Sequence, residues 1–288
     1  MKKIKIYIIT YKRNDVLNEL IDNLKSSDFK DVENTEINII NNHTDFYLED
    51  RNSDVRVLHN MTRPNWSTGN LPENFNQAII DGFRDLKNPD SEIVVTLQND
   101  AVLDKNWCST LMKLHEKYSF IAGEYGDNIV SYKVDAIKKI GLWDERFCGI
   151  QHKEADYYLR ALILNRDNSS INDTMHGRIH NREDVKLDIT EGRNIIEKGG
   201  KPLRQADNKD HQEIWDTSRS SYMSSLLLRI FIDKWSKTWK QEPNKTGWIV
   251  NWSKDLVDNP PKHPKKMDMR YPYFEKDIDN VGQKYNII

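Results

Sequence analysis

Cysteine is almost absent from this chain. Cys108 and Cys148 are the only two thiols in 288 residues, and they form no CxxC pair. A disulfide scaffold or a cysteine zinc site needs more thiols at closer spacing, so neither is indicated. We therefore expect a reducing compartment, the cytoplasm.

Glycine is also scarce, with 12 residues in the whole chain. The sequence contains no P-loop and no GxGxxG turn after an apolar segment. Both motifs need glycine where the backbone closely approaches a phosphate group. Phosphate binding through a glycine-rich loop is therefore excluded.

Long apolar runs and an excess of one charge are missing as well. The 43 basic and 45 acidic residues give a net charge of −2, which provides no bulk positive field for a nucleic acid. No segment approaches the roughly 20 apolar residues that a membrane-spanning helix needs. The apolar N-terminal run is short and meets Lys12 and Arg13 at once, which indicates a strand and not a signal peptide. We expect neither a nucleic-acid partner nor a membrane span.

The chain does contain many aromatic residues and short apolar segments that alternate in period. Its 8 Trp, 12 Tyr and 8 Phe supply large surfaces for a core. Strand-like runs occur at residues 5–10, 36–40, 55–58 and 93–97. Apolar residues recur at helical spacing over 16–24, 75–86, 107–118, 134–140 and 155–163, with Asn14 expected to cap the first helix. The alternation predicts an α/β fold with a Rossmann-like, mostly parallel sheet and helices on both faces.

The character of the chain changes near residue 185. Strand-like runs disappear there, and a helical stretch over residues 211–239 leads into a tail that contains proline, lysine and tryptophan. We therefore predict two parts. They are an α/β domain over residues 1–184 and a helical or irregular extension over residues 185–288 that packs on it.

Polar segments follow three of the predicted strands, at residues 11–14, 41–45 and 98–100. Ligands of open α/β sheets bind at the carboxyl ends of the strands, so these segments are where we expect the chemistry. The acidic residues at or beyond them are Asp100, Asp144, Glu145, Glu154 and Asp156. Such carboxylates suit a divalent cation that bridges phosphates, and they suit a solvated surface equally well.

Several segments together carry a family resemblance. In chain order they read IYIITYKRN, INIINNHTD, a loop with Asn60, Asn70 and Asn76, VVTLQNDAVLDKNW, and GLWDERFCGIQHKEADYYLRA. This order resembles nucleotide-sugar glycosyltransferases of the GT-A fold, especially the inverting family-2-like group, over roughly residues 4–180. The resemblance implies transfer of a sugar from a nucleotide-sugar donor, a UDP-sugar, to an acceptor hydroxyl with inversion at the anomeric carbon.

The resemblance also implies a metal-assisted donor site. The segment Gln98-Asn99-Asp100 lies where the family has its DxD motif, so Asp100 would ligate Mn²⁺ or Mg²⁺ on the donor diphosphate. Gln98 stands in the place of the first Asp of that motif. A late histidine ligand is implied further on, and His180 fits that place more closely than His176.

The nucleotide is implied to lie against the ends of the first strands. Asn41 takes the place of the family's Asp that contacts uracil and ribose, and an amide can still pair with a base edge. The implied donor-binding residues are Thr10, Tyr11, Arg13, Asn41, Asn76 and Asn99.

The last segment is implied to supply the catalytic carboxylates. Glu154 falls on the general base of the family's ED pair, with Lys153 in the place of the preceding Glu. Asp156 falls on the following Asp and supports the site, with Arg160 one helical turn on. An inverting transfer needs one such base to deprotonate the acceptor hydroxyl.

Two other functions remain open from the sequence. A nucleotidyltransferase shares a similar nucleotide-binding sheet, although the segment TYKRN lacks the glycines usual after its first strand. A sugar- or nucleotide-binding protein without catalytic activity is indicated by Gln98 and Lys153, which both depart from the family pattern.

Overall fold

The computed structural model describes residues 2–60, 71–99, 101, 103, 106–122, 129–148, 153, 154, 156, 157, 226, 227 and 230. The strands in this part of the chain are β1 (Lys2–Thr10), β2 (Val32–Asn41), β3 (Arg56–His59), β4 (Ile93–Gln98), β5 (Phe120–Ala122) and β6 (Ile129–Lys133). The helices are α1 (Asn14–Lys25), α2 (Leu71–Phe83), α3 (Trp107–Lys117) and α4 (Val134–Ile140), with a 3-10 turn at Asp50–Asn52.

The six strands form one sheet in the order β3-β2-β1-β4-β6-β5. β1 pairs in parallel with β2 and β4, and β2 pairs in parallel with β3. β6 runs antiparallel to both β4 and β5. The predicted fold class, a mostly parallel α/β sheet flanked by helices, is confirmed, while the antiparallel pair β5 and β6 was not predicted.

Both faces of the sheet are covered, which explains why β4 and the second halves of β1 and β2 read as apolar runs. Tyr7 and Ile9 of β1 pack on one face with residues of α2 and α4. Ile6 and Ile8 pack on the other face with residues of α1 and α3. Because successive residues of a strand point to opposite faces, every position of a central strand must be buried.

Helix α2 approaches the sheet closely at Gly82. A Cβ atom at this position would lie 2.3 Å from Cγ2 of Val94 on β4. The missing side chain therefore sets how near α2 lies to the sheet, and with it the position of the first turn of α2.

The start of α1 differs from the prediction. The helix begins at Asn14, and the residue before it, Arg13, takes the capping position with left-handed backbone angles (φ 53°, ψ 55°). The Asn14 amide donates to the carbonyl of Asp45 at 3.2 Å, and its oxygen accepts from the Tyr47 backbone N–H at 3.3 Å. Asn14 thus joins the start of α1 to the segment after β2 instead of capping its own helix.

The C-terminal extension lies almost wholly outside the described residues. Leu226 and Leu227 are helical, and the Leu227 side chain is fully buried. The division at residue 184 stays a prediction. No helix in the described part of the chain is long and apolar enough to cross a membrane.

Candidate functional site

The polar segments that follow β1, β2 and β4 meet at one edge of the sheet. Thr10 lies opposite Asn41 in the register of β1 and β2, and Ile9 lies opposite Gln98 in the register of β1 and β4. Asn41 in turn lies opposite His59 at the end of β3. Parallel strands place these carboxyl ends side by side, as the sequence predicts.

The turn between β1 and α1 has an unusual backbone. Lys12 and Arg13 both have φ of 53°, a left-handed conformation that is unfavourable for residues with a side chain. The Lys12 carbonyl accepts hydrogen bonds from the Thr10 hydroxyl at 3.2 Å and from the Asn99 amide at 3.4 Å. The Asn99 amide also donates to the Thr10 hydroxyl oxygen at 3.0 Å. The end of β4 therefore fixes the turn that follows β1.

Partly exposed side chains of this turn form the outer side of the site. The Tyr11 and His43 rings meet edge to face, with centroids 5.1 Å apart. The Lys12 ammonium lies 5.4 Å from the centre of the Tyr11 ring. The Arg13 guanidinium donates to both oxygens of Asp15, and these hydrogen bonds lower the pKa of the Asp15 carboxyl.

Asn41 is buried, with 1% of its surface exposed. Its amide donates to the His43 carbonyl at 2.7 Å and lies 3.1 Å from Nδ1 of His59, while its oxygen accepts from the His43 backbone N–H at 3.1 Å. The side chain thus folds the segment after β2 and joins it to β3. Both amide hydrogens are engaged in these contacts, so a nucleobase would either donate to the second lone pair of the Asn41 oxygen or replace one of the contacts of the amide nitrogen.

Four further amides form a cluster, of which the sequence interpretation named only Asn60. The Asn60 amide nitrogen lies 3.1 Å from the side-chain oxygen of Asn42 and 3.0 Å from those of Asn74 and Gln77. An amide has two hydrogens, so at most two of these three contacts are hydrogen bonds at one time. The cluster connects the ends of β2 and β3 to the first turns of α2. The only sequence signal was the repeated Asn near strand ends, which is equally typical of turns.

Asn76 anchors a distant segment to α2. Its oxygen accepts from the Trp143 backbone N–H at 2.8 Å, and its amide donates to the Trp143 carbonyl at 2.9 Å and to Glu145 at 2.8 Å. Both amide hydrogens are therefore used within the protein. This residue holds the segment after α4 against the first turns of α2.

Trp143 in turn contacts the helical segment that contains the predicted catalytic carboxylates. Its ring stacks on Tyr157 with centroids 4.3 Å apart and an angle of 12° between the planes. The Tyr157 hydroxyl donates to the Gly141 carbonyl at 3.1 Å. Nearby, the buried Asp144 carboxylate accepts from the Arg146 guanidinium at 2.6 Å. The helical segment that carries Glu154 and Asp156 is thus tied through Trp143 to α2.

Lys153 and Glu154 form an ion pair in a buried place. The Lys153 ammonium lies 3.0 Å from one Glu154 carboxylate oxygen, and their side chains are only 2% and 10% exposed. The two opposite charges therefore lie together where little water reaches them. Asp156 is fully buried, and Arg160 lies outside the described residues.

The solved structures that are similar to this chain include several glycosyltransferases. One is the mannosyltransferase PcManGT from Pyrobaculum calidifontis in complex with GDP-Man and Mn²⁺, at 12% identity over 55% of this chain and 52% of that chain, with a TM-score of 0.36. TarS (residues 1–349) from S. aureus is 14% identical over 55% of each chain, with a TM-score of 0.36. Glucosyl-3-phosphoglycerate synthase from Mycobacterium tuberculosis, in complex with Mn²⁺, UDP-glucose and phosphoglyceric acid, is 11% identical over 60% of this chain and 68% of that chain, with a TM-score of 0.40.

The matched part spans about half the length of the PcManGT and TarS chains. No family model matches this chain, and no curated protein matches its sequence.

The predicted metal ligands fall where the structure gives no description. Asp100, His176 and His180 all lie outside the described residues. Within the part that is described, no three His, Cys, Asp or Glu residues are grouped so that they could hold a metal ion. A Mn²⁺ or Mg²⁺ site at Asp100 and His180 stays a prediction.

Proposed function

We propose that this chain is a glycosyltransferase that moves a sugar from a nucleotide-sugar, a UDP-sugar, to an acceptor hydroxyl with inversion. The observation that carries the proposal is the meeting of Thr10, Asn41 and Gln98 at one edge of the sheet. The segments at these positions are those that resemble the family's donor-binding segments. Open α/β sheets bind their ligands at this edge.

The donor site is proposed to have an inner and an outer layer. Thr10, Asn41 and Asn99 are buried and bonded within the protein, so they would set the shape of the nucleotide site. Tyr11 and Arg13 are partly exposed and would contact the nucleotide. Asn76 would act by holding Trp143 and Glu145 beside the donor.

A divalent cation fits the proposal through Asp100, with His180 as a further ligand. When bound, Mn²⁺ or Mg²⁺ neutralises the negative charge that develops on the leaving nucleoside diphosphate. Asp100 follows Asn99 directly at the end of β4, which would bring its carboxylate to the same edge as the nucleotide segments.

The transfer step is proposed to use Glu154 as the general base. The acceptor oxygen attacks the anomeric carbon, the bond from that carbon to the diphosphate oxygen breaks, and the acceptor proton passes to Glu154. Lys153 would hold that carboxylate in place through its ion pair with Glu154. Asp156 would support the same helical segment from its buried position.

Donor turnover tests the proposal. Release of UDP from UDP-sugars would be measured in the presence of Mn²⁺ with candidate acceptors, for the unmodified chain and for Glu154→Gln. The Gln variant keeps size but removes basicity, so we expect transfer to fall by about 10² to 10⁴ while donor affinity barely changes. Glu19→Gln, an exposed change on α1, is the matched control and should transfer normally. If transfer survives Glu154→Gln and is lost in Asp156→Asn, the base is the other carboxylate.

A non-catalytic nucleotide- or sugar-binding protein is the second candidate. The Lys153–Glu154 ion pair favours it, because Lys153 departs from the family pattern and its ammonium already contacts one Glu154 carboxylate oxygen at 3.0 Å. In that case UDP-sugars would bind, and no donor would be turned over with any acceptor.

A further inference from the structure

We propose that Asn99 and Thr10 are positioning residues that hold the turn after β1 in the conformation that binds the donor. The inference rests on the proposed function, since it concerns the same nucleotide site. It assigns these two side chains a role that acts through the backbone of Lys12 and not through contact with the nucleotide.

The turn would not adopt its shape without support. Lys12 and Arg13 are consecutive residues with φ of 53°, and neither is glycine. Residues with a Cβ atom disfavour this left-handed region, so the surrounding structure must hold them there. In such a turn a small loss of support changes the population of conformers.

The support comes from two buried donors. The Thr10 hydroxyl and the Asn99 amide both donate to the Lys12 carbonyl, and Asn99 also donates to the Thr10 oxygen. Thr10 and Asn99 are only 1% and 4% exposed, so water does not readily replace these bonds. The Asn99 backbone N–H also donates to the Ile9 carbonyl at 3.1 Å, which fixes the end of β4 beside β1.

This arrangement makes the ends of β1 and β4 one unit. Tyr11 directly precedes Lys12, and Asp100 directly follows Asn99. The same hydrogen bonds therefore hold both the turn proposed to bind the nucleotide and the end of β4 that precedes the proposed metal ligand. If the turn leaves this conformation in part of the molecules, the apparent affinity for the donor falls in proportion to the fraction that keeps it.

The first experiment measures the dissociation constant of UDP with Mn²⁺ by calorimetry on the full chain. Thr10→Val is nearly isosteric but lacks the hydroxyl, and Asn99→Ala lacks the amide. We expect each to bind UDP about tenfold more weakly, whereas Thr10→Ser, which keeps the hydroxyl, should bind within about twofold of the unmodified chain.

A glycine at position 12 separates positioning from general damage to the fold. Glycine adopts a φ of 53° without strain, so it reduces the need for the two donors. We expect Asn99→Ala to weaken binding about tenfold in the native background and less than about threefold in the Lys12→Gly background. Equal loss in both backgrounds would overturn the inference.

A measurement without ligand keeps the inference testable if the function is different. Backbone chemical shifts and scalar couplings of Lys12 and Arg13 report their φ angles. We expect these to move toward negative φ in Thr10→Val and Asn99→Ala and to stay unchanged in Thr10→Ser. Unchanged φ in both variants, or UDP binding as tight as in the unmodified chain, overturns the inference. Absence of UDP binding by the unmodified chain overturns the proposed function alone.

Discussion

At the candidate site, Lys153 and Glu154 are neighbours in sequence that form an ion pair. Their side chains are only 2% and 10% exposed. Removing one partner of a buried pair leaves the other charge without compensation, which destabilises the fold more than removing both. The contribution of Glu154 to folding can therefore be separated from its proposed role in catalysis.

A comparison of Glu154→Gln with the double variant Lys153→Met/Glu154→Gln separates the effect on stability from the effect on transfer. We expect Glu154→Gln to lower the free energy of unfolding by about 3–5 kcal/mol, because the Lys153 ammonium loses its carboxylate partner. The double variant should recover most of that loss in urea unfolding. Transfer should stay lowered by about 10² to 10⁴ in both, since neither has the carboxylate. Recovery of activity in the double variant would show that Glu154 acts only through stability.

Asp81 is the basis of a second prediction at the scale of single residues, which concerns how the stability of the fold depends on pH. Burial alone raises the pKa of this carboxyl, but hydrogen bonds from Arg56 and Tyr7 outweigh it, so the pKa lies below its ordinary value of 3.8. A lowered native-state pKa means that the carboxylate stabilises the fold above about pH 4 and that this contribution is lost as the pH falls further.

The measurement compares urea unfolding of the unmodified chain and Asp81→Asn at pH 7 and pH 3. We expect a difference of about 1 kcal/mol at pH 7, because Arg56 is partly exposed and its hydrogen bonds to Asp81 are screened. The difference should shrink at pH 3. Asp31→Asn, an exposed change before β2, is the control and should differ little from the unmodified chain at pH 7. A difference that stays constant with pH would contradict the assignment.

At the scale of elements, the packing of α2 on β4 fixes the amide cluster and Asn76. Gly82 permits the close approach, since a Cβ there would lie 2.3 Å from Val94. We expect Gly82→Ala to destabilise the fold by about 1–3 kcal/mol, measured by chemical unfolding. The double variant Gly82→Ala/Val94→Ala lacks the clashing methyl group of Val94. We expect its loss of unfolding free energy to be smaller than the sum of the losses in the two single variants. Simple additivity would mean that α2 shifts freely and that Gly82 does not set its position.

The elements also divide into those that the sequence pattern could predict and those that it could not. β1, β2, β4 and their helices have long, clear periods, and their carboxyl ends meet as the parallel-sheet rule requires. β5 has three residues, and β6 runs directly into α4, so neither shows a period of its own. Likewise, Asn76 meets Trp143 across 67 positions of sequence, a contact that no local pattern encodes.

At the scale of the whole molecule, ligand binding should raise the stability of the native state. A ligand at about a hundred times its dissociation constant adds about 2.7 kcal/mol. We expect UDP with Mn²⁺ to raise the melting temperature and Asp100→Asn to remove the Mn²⁺-dependent part of the shift. Asp104→Asn is the matched control, four residues further on. An equal Mn²⁺-dependent shift in Asp100→Asn and in the unmodified chain would exclude Asp100 as a ligand.

The position of β1 between β2 and β4 has a consequence for synthesis on the ribosome. The first 60 residues contain β1, β2 and β3, and β2 pairs with both of the other two strands. The other edge of β1 receives its partner only when residues 93–98 have emerged. Until then an apolar strand has an open edge, which is a site for pairing with other chains. A nascent chain that stalls before residue 93 would therefore self-associate or require a chaperone.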